Sequence, residues 1–294
     1  MRDGKPVRVM YGDPSKDIYG FPDIELCPLY PAGIFGLKDK GTADFDVMMN
    51  QIMIHHDGGS MQWNMVPVYL VRMGLAEDLK KCQRERLDSY QAFYNGFCAE
   101  EGMDGGRHPH AGPEWNNVRN VDTDLYTKVK ANMYTHFDFE TGPILAQSIN
   151  ESLLQSHEGL LRLCPAICKE DDVSFTLYGE GGFKVSAEVS AETYLVTVES
   201  LRGEALYIRL PEYSDETKLN AYVVKNGLIS PVEIKKAFVG REEVLTFDIA
   251  KGDVLLLASD ALENIEYEPQ IVAEPNNDMK ECGKAMLGSP TLLK

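Results

Sequence analysis

FETGPILAQSINESLLQSHEGLLRLCP, residues 139–165, changes its hydrophobic period halfway along, and that change organises the reading of the whole chain. The first half spaces Ile144, Leu145, Ser148, Ile149, Ser152 and Leu153 as a helix does, with Pro143 inside the first turn, where a missing N–H costs little. Polar Gln155, Ser156, His157 and Glu158 then lead to Gly159, which readily supplies a left-handed cap, and a β-like run from Leu160 to Leu163 follows. Glu140 sits just ahead of the helix, at the mouth of whatever pocket that helix lines. The stretch therefore joins a helical part, a candidate acid and the start of a β part.

Upstream the signal is helical. Thr42 reads as an N-cap, with Asp44 and Asp46 favourable in the first turn. Phe45, Met48, Met49, Ile52 and Met53 form one face, and the helix stops near His55, His56 and the glycines at 58–59. The next helix, Gln62 to Met73, is apolar nearly all round and is expected to be buried on most sides. From Leu75 to Phe97 an apolar stripe alternates with Glu, Lys and Arg, the pattern of an outer helix. A buried helix followed by an amphipathic one fits a layered α/α toroid. Residues 1–41 read as loop packed on these helices. Glu100 to Asn120, rich in Gly and Pro, reads as a long loop, and a shorter helix is expected at about Asp122 to Tyr134.

Downstream of Gly159 the period is two. Val173 to Leu177, Phe183 to Val189, Tyr194 to Ser200, Ala205 to Leu210, Val244 to Ile249 and Val254 to Ala258 read as strands separated by turn-forming residues. With no convincing helix between them, an antiparallel β-sandwich over 160–294 is the economical reading. The expected organisation is thus α+β multidomain: loop segment 1–41, helical part 42–159, β-sandwich 160–294.

Of the 294 residues, 29 are basic and 46 acidic, a formal net charge of −17 that opposes nucleic acid or an anionic membrane as partner. Neutral ligands such as sugars fit more comfortably. No apolar run approaches the roughly 20 residues of a membrane span, and MRDGKPVRVMYGD has no apolar core. No signal peptide is read there, and the chain as written is expected in the cytoplasm. Six scattered cysteines, Cys27, Cys82, Cys98, Cys164, Cys168 and Cys282, suggest neither a disulfide framework nor a zinc knuckle and read as buried or incidental thiols in a reducing compartment. His55–His56 and His108-Pro109-His110 lack the i, i+4 spacing of paired metal ligands, so no metal is expected.

Several stretches resemble one family. INESLLQSHEGLLRLCPAI (149–167), GGFKVSAEV (181–189) and a strand pair ending in SLRGEA (200–205) resemble the end of the catalytic barrel and the C-terminal β domain of glycoside hydrolase family 95. That family contains α-L-fucosidases and related exo-acting enzymes built on a six-hairpin α/α barrel. MQWNMVPVYLVRMG (61–74) is similar to the family's Gly-Trp motif and following inner helix, and LYPAGIFGL (29–37) to its Tyr-Pro-Gly loop. The resemblance covers residues 25–210, with LLQSHEG its most specific part.

The resemblance implies a partial (α/α)6-barrel ahead of the sandwich and inverting hydrolysis of a terminal α-linked sugar. Family members carry a carboxylate shortly before the LLQS helix that helps asparagines activate water, and counting back places Glu140 there. Inversion needs a base on one face of the sugar and an acid on the other, with carboxyls roughly 6.5–9.5 Å apart. The implied substrate-binding residues are Trp63, as a stacking platform, His136, within the similar segment NMYTH, and Glu25, which stands where the family has histidine. For Trp63 the alternative is a core tryptophan, and for Glu140 a helix-start carboxylate favoured by the dipole. The acidic motif here is FETG, with glutamate for aspartate and no following asparagine, and the family's general acid lies in a part that would precede residue 1. No cofactor follows from this mechanism. The alternative is a noncatalytic carbohydrate-binding or structural fragment that needs a partner chain or a further N-terminal half, with self-association expected through exposed apolar helices.

Overall fold

The computed structural model describes residues 4–8, 24–56, 65–90, 141–261, 280–282 and 285–287. Four helices are seen in them: α1 (Ala43–His56), α2 (Val66–Arg72), α3 (Ala76–Tyr90) and α4 (Thr141–Leu153). Thr42 caps α1 as expected: its Oγ1 accepts from Phe45 N at 3.1 Å and donates to Asp39 O at 2.8 Å. Phe45, Met48 and Ile52 are buried while Met53 is exposed, so the apolar face of α1 is narrower than its methionines imply. The helix expected at 122–134 and the loop 100–120 lie outside the described residues.

All seven residues of α2 are buried, Arg72 included. The apolar surface from which self-association was expected is therefore not exposed on α2. Its end is a Schellman motif: Gly74 has φ +71°, its N–H donates to Val71 O, and Leu75 N donates to Leu70 O. The chain turns there at once into α3, which buries Leu79 and Cys82. On α4, Ile144, Leu145, Ser148 and Ser152 face inward, but Ile149 is 46% exposed. Ser148 receives Gln83 Nε2 of α3 at 2.9 Å, which ties the outer helix to α4.

The helix of the opening stretch ends at Leu153, and the polar run after it is not a helical tail. Strand β1 (Leu154–Gln155) begins immediately and pairs antiparallel with β2 (Leu161–Leu163), Gln155 opposite Arg162. Gly159, at φ +77°, serves the turn between these two strands rather than the helix end. The β structure thus begins at Leu154, six residues before the expected change at 160.

The remaining strands are β3 (Val173–Gly179), β4 (Phe183–Val189), β5 (Tyr194–Ser200), β6 (Ala205–Arg209), β7 (Asn220–Lys225), β8 (Leu228–Pro231), β9 (Lys235–Val239), β10 (Glu242–Asp248), β11 (Val254–Ala258), β12 (Lys280–Cys282) and β13 (Ala285–Leu287). They form a five-stranded sheet ordered β1-β2-β6-β10-β9, a six-stranded sheet ordered β3-β4-β5-β11-β7-β8, and the hairpin β12-β13. Leu206, Ile208, Leu245 and Phe247 of the first sheet share one core with Val185, Val196, Val198, Leu255 and Leu257 of the second. The architecture is mixed α+β with two antiparallel-rich sheets in a sandwich-like arrangement. One pairing corrects the purely antiparallel expectation: β2 runs parallel to β6, Leu161 opposite Ile208. The connection from β2 to β6 passes through β3, β4 and β5 of the other sheet, so no tight turn forces β2 and β6 antiparallel.

A second core belongs to the helices and takes in Leu26, Leu29 and Phe35 from the N-terminal loop and Ala166 from the segment after β2. Among the described residues no helix is long and apolar enough to cross a membrane.

Candidate functional site

Glu140, Trp63 and His136 lie outside the described residues. Glu25 lies in the 3-10 turn Ile24–Leu26 and is half-buried, beside the fully buried Leu26. The described residues instead bring together polar groups from the three upstream stretches that carry the family resemblance, at the joint between helices and sheets.

Arg72 leaves the end of α2 and meets Glu151 near the end of α4. Its Nε and Nη2 donate to Glu151 Oε2 and Oε1, both at 2.9 Å, and Nη1 donates to Leu29 O at 2.8 Å. The guanidinium also lies over the Tyr30 ring, 4.9 Å from its centroid. Gln147, one turn before Glu151 on α4, donates to Oε1 at 2.9 Å, and Gln155 Nε2 donates to Val71 O at 2.9 Å. Helix, loop and first strand are thereby locked by one arginine and two glutamines. Glu151 supplies the counter-charge for Arg72.

Two residues beyond Gln155, His157 occupies the β1–β2 turn. Gly33, φ +60°, passes between Arg72 and His157: a Cβ on it would sit 3.5 Å from Arg72 Nη1 and 3.7 Å from His157 Cδ2. Burial, followed by the charge of Arg72, lowers the His157 pKa below its ordinary value, partly opposed by Glu151 and Glu158. The neutral imidazole is favoured there, and its Nε2 has no hydrogen-bond partner.

Glu158 and Arg162 make a second cluster. The Glu158 side chain is fully buried, 2.5 Å from Arg162 Nη2 and 3.5 Å from Lys38 Nζ. Arg162, 2% exposed, also donates through Nε and Nη2 to Glu242 of β10, with Arg209 Nε 3.9 Å from that carboxylate. Two carboxylates on one buried guanidinium, with Lys38 and Arg209 behind them, satisfy the rule that buried charge must be paired. Gly36 runs so close that a Cβ there would lie 2.7 Å from Glu158 Oε1. Sequence reading missed this cluster. Its visible signal was an arginine placed between Leu161 and Leu163 in an otherwise apolar strand, four residues after a glutamate.

Cys27, Cys82, Cys164 and Cys168 are free thiols, the last three buried, as expected. Burial pushes the Cys164 thiol up to about 12 and Cys168 up to about 11, which favours the protonated thiol at both near neutral pH. Among the described residues the one trio with metal-ligand potential is Glu77, Cys168 and Glu170, whose ligand atoms lie within 4.8 Å of one another. Lys80 Nζ stands 3.9 Å from Glu170, a positive charge that competes with a cation there. Apart from that trio the joint is built of ion pairs and hydrogen bonds that position helices, loop and strands, with His157 Nε2, the Glu158 oxygens and Arg162 Nη1 lacking hydrogen-bond partners.

No protein-family model matches the chain, and no curated protein matches it.

Proposed function

We propose that the chain is a family-95-like glycoside hydrolase that performs inverting hydrolysis of a terminal α-linked, fucoside-like sugar. Glu140 is the base-side carboxylate, Trp63 the wall on which the sugar ring stacks, and His136 and Glu25 the groups that hold its hydroxyls. The helices belong to a partial (α/α)6-barrel ahead of the β-sandwich, and the partner is carbohydrate. What supports this reading is the convergence of the three upstream resembling stretches on one joint: Leu29 and Tyr30 from LYPAGIFGL, Arg72 from the inner-helix stretch, and Glu151 and His157 from the LLQSHEG region. Short matches that arose by chance would have no reason to meet in space.

The joint holds the C-terminal end of α4, which begins at Thr141, immediately after Glu140 in sequence. A rigid α4 fixes where its first residue starts, and preorganisation of this kind is what a base that must orient one water requires. The test is turnover of a panel of aryl α-glycosides by the purified protein and its Glu140→Gln variant. Turnover of one of them, reduced roughly 10²–10⁴-fold by the substitution, is expected for loss of a general base. Robust turnover untouched by Glu140→Gln would remove Glu140 from the mechanism.

A noncatalytic carbohydrate-binding or structural role is the second reading. The observation favouring it is that Glu151, Glu158 and Arg162, in the most recognisable motif, are engaged in internal pairs. Sugar binding without turnover of any glycoside is its expected result.

A further inference from the structure

The N-terminal loop crosses the joint as a short flap. Leu29 and Phe35, at its two ends, are buried in the helical core, 0% and 8% exposed, while Pro31, Ala32 and Ile34 between them are exposed. The flap is closed on itself by Ala32 N donating to Cys27 O and Ile34 N donating to Pro28 O, both at 3.0 Å. Beneath it lie two side chains of the joint. The Tyr30 ring sits on the Arg72 guanidinium, and Gly33 passes over Arg72 and His157. The His157 atom nearest to a Gly33 Cβ is Cδ2, at 3.7 Å, and Cδ2 is bonded to Nε2 in the ring. The flap therefore covers the imidazole edge that carries the nitrogen without a hydrogen-bond partner.

Four charged side chains face this imidazole: Arg72 from α2, Glu151 from α4, Glu158 in the same β1–β2 turn, and Arg162 from β2. Arg72 is paired with Glu151, Arg162 with Glu158 and Glu242, and Lys38 stands 3.5 Å from Glu158. Both guanidiniums thus already hold their carboxylates. A proton on Nε2 would add a third cation beside them, at an atom that water reaches only when the flap lifts. Lifting it between its buried ends uncovers little apolar surface, because the residues that move are mostly the exposed ones.

We propose that residues 30–34 form an acid-opened flap: proton uptake by His157 releases them from Arg72 and His157, while Leu29 and Phe35 stay anchored in the helical core. The sign follows from linkage. Under the closed flap, burial and then Arg72 lower the His157 pKa, whereas a solvated imidazole titrates near 6.5, so the open form takes the proton first as pH falls. Between about pH 7.5 and about pH 5.5 the ratio of open to closed rises by up to about tenfold. Opening bares His157 and the Arg72–Glu151 pair without undocking the helices from the sheets. It does not depend on the sugar site proposed above.

The test is hydrogen exchange of the full chain at those two pH values, corrected for the intrinsic rate and followed by mass spectrometry on peptides covering the flap, its anchors and β4. Expected is a five- to tenfold rise in flap opening on acidification, confined to the amides of residues 32–34. In His157→Gln, which keeps a polar side chain but cannot titrate, flap opening is expected to be the same at both values; His157→Asn serves if that variant does not fold. Flap exchange in the parent that does not respond to pH overturns the proposal without any variant. So does a response retained after His157 is replaced, which assigns it to the carboxylates, or one that spreads equally to Leu29 and β4, which is global unfolding.

Discussion

Replacing Arg72 with methionine removes the group that ties α2, α4 and the N-terminal loop together. The side chains of Arg72 and Glu151 are 8% and 15% exposed, and two parallel bonds of 2.9 Å join them. At an effective dielectric of about 20 the direct attraction at that distance is roughly 6 kcal/mol, most of which offsets desolvation of the two charges. The cost of Arg72→Met is therefore governed by what it leaves behind: a largely buried Glu151 without its cation, and a Leu29 carbonyl without its donor. Breaking such a pair from one side costs about 3–5 kcal/mol. Removing both charges, as Arg72→Met with Glu151→Leu, leaves no orphaned ion. The double variant is expected to be at least about 2 kcal/mol more stable than the sum of the single losses predicts. Urea denaturation of parent, singles and double, with fluorescence and circular dichroism both followed, measures the cycle. Losses below about 1 kcal/mol for Arg72→Met, or strict additivity, would refute the view that this pair holds the joint.

Gly36→Ala is expected to destabilise by about 1–3 kcal/mol, because its Cβ would sit 2.7 Å from the fully buried Glu158 carboxylate; melting temperature measures it, and a neutral outcome would mean that Glu158 moves freely. His157 gives a pH dependence: its folded pKa lies below the unfolded 6.5, so the unfolded chain binds the proton first as pH falls. The stability it contributes is complete above 6.5 and is lost as pH drops from there through the lower folded value. His157→Gln is expected to flatten that part of a stability–pH curve, and an unchanged slope counts against the assignment.

Much of the fold was legible because burial writes its period into the sequence. Phe183, Val185, Ala187 and Val189 are buried while Lys184, Ser186 and Glu188 are not, and the expected β4 has the observed bounds. Strands β8 and β9 were not read because their side chains are largely exposed, Leu228 and Phe238 included, and an edge strand without a buried face shows no alternation. Their turns did carry a signal. Asn226-Gly227, both at positive φ, closes β7 and β8 as a two-residue loop, and Gly240 at φ +61° opens the one between β9 and β10. The Arg162 cluster was legible only in the Glu158–Arg162 spacing: Lys38 and Glu242 lie far from that pair in sequence, and a pattern of residue types does not say which distant charges meet.

The joint also changes where evidence for catalysis must be sought. A stretch whose glutamates and arginine are committed to internal pairs is needed by any protein that docks these helices on these sheets, whether or not it cleaves a bond. Resemblance over LLQSHEG thus speaks first to architecture: Gln155 reaches back to Val71, His157 fills the turn, and Glu158 anchors Arg162. The residues proposed to separate an enzyme from a binding module are Glu140, Trp63 and His136, which lie outside the described residues. A substitution inside the joint lowers stability and activity together, because α4 loses the anchor that fixes its C-terminal end. Glu140→Gln, placed one residue before α4 begins, is expected to lower turnover while leaving the melting temperature within a degree or two, and that dissociation of rate from stability is the signature of chemistry.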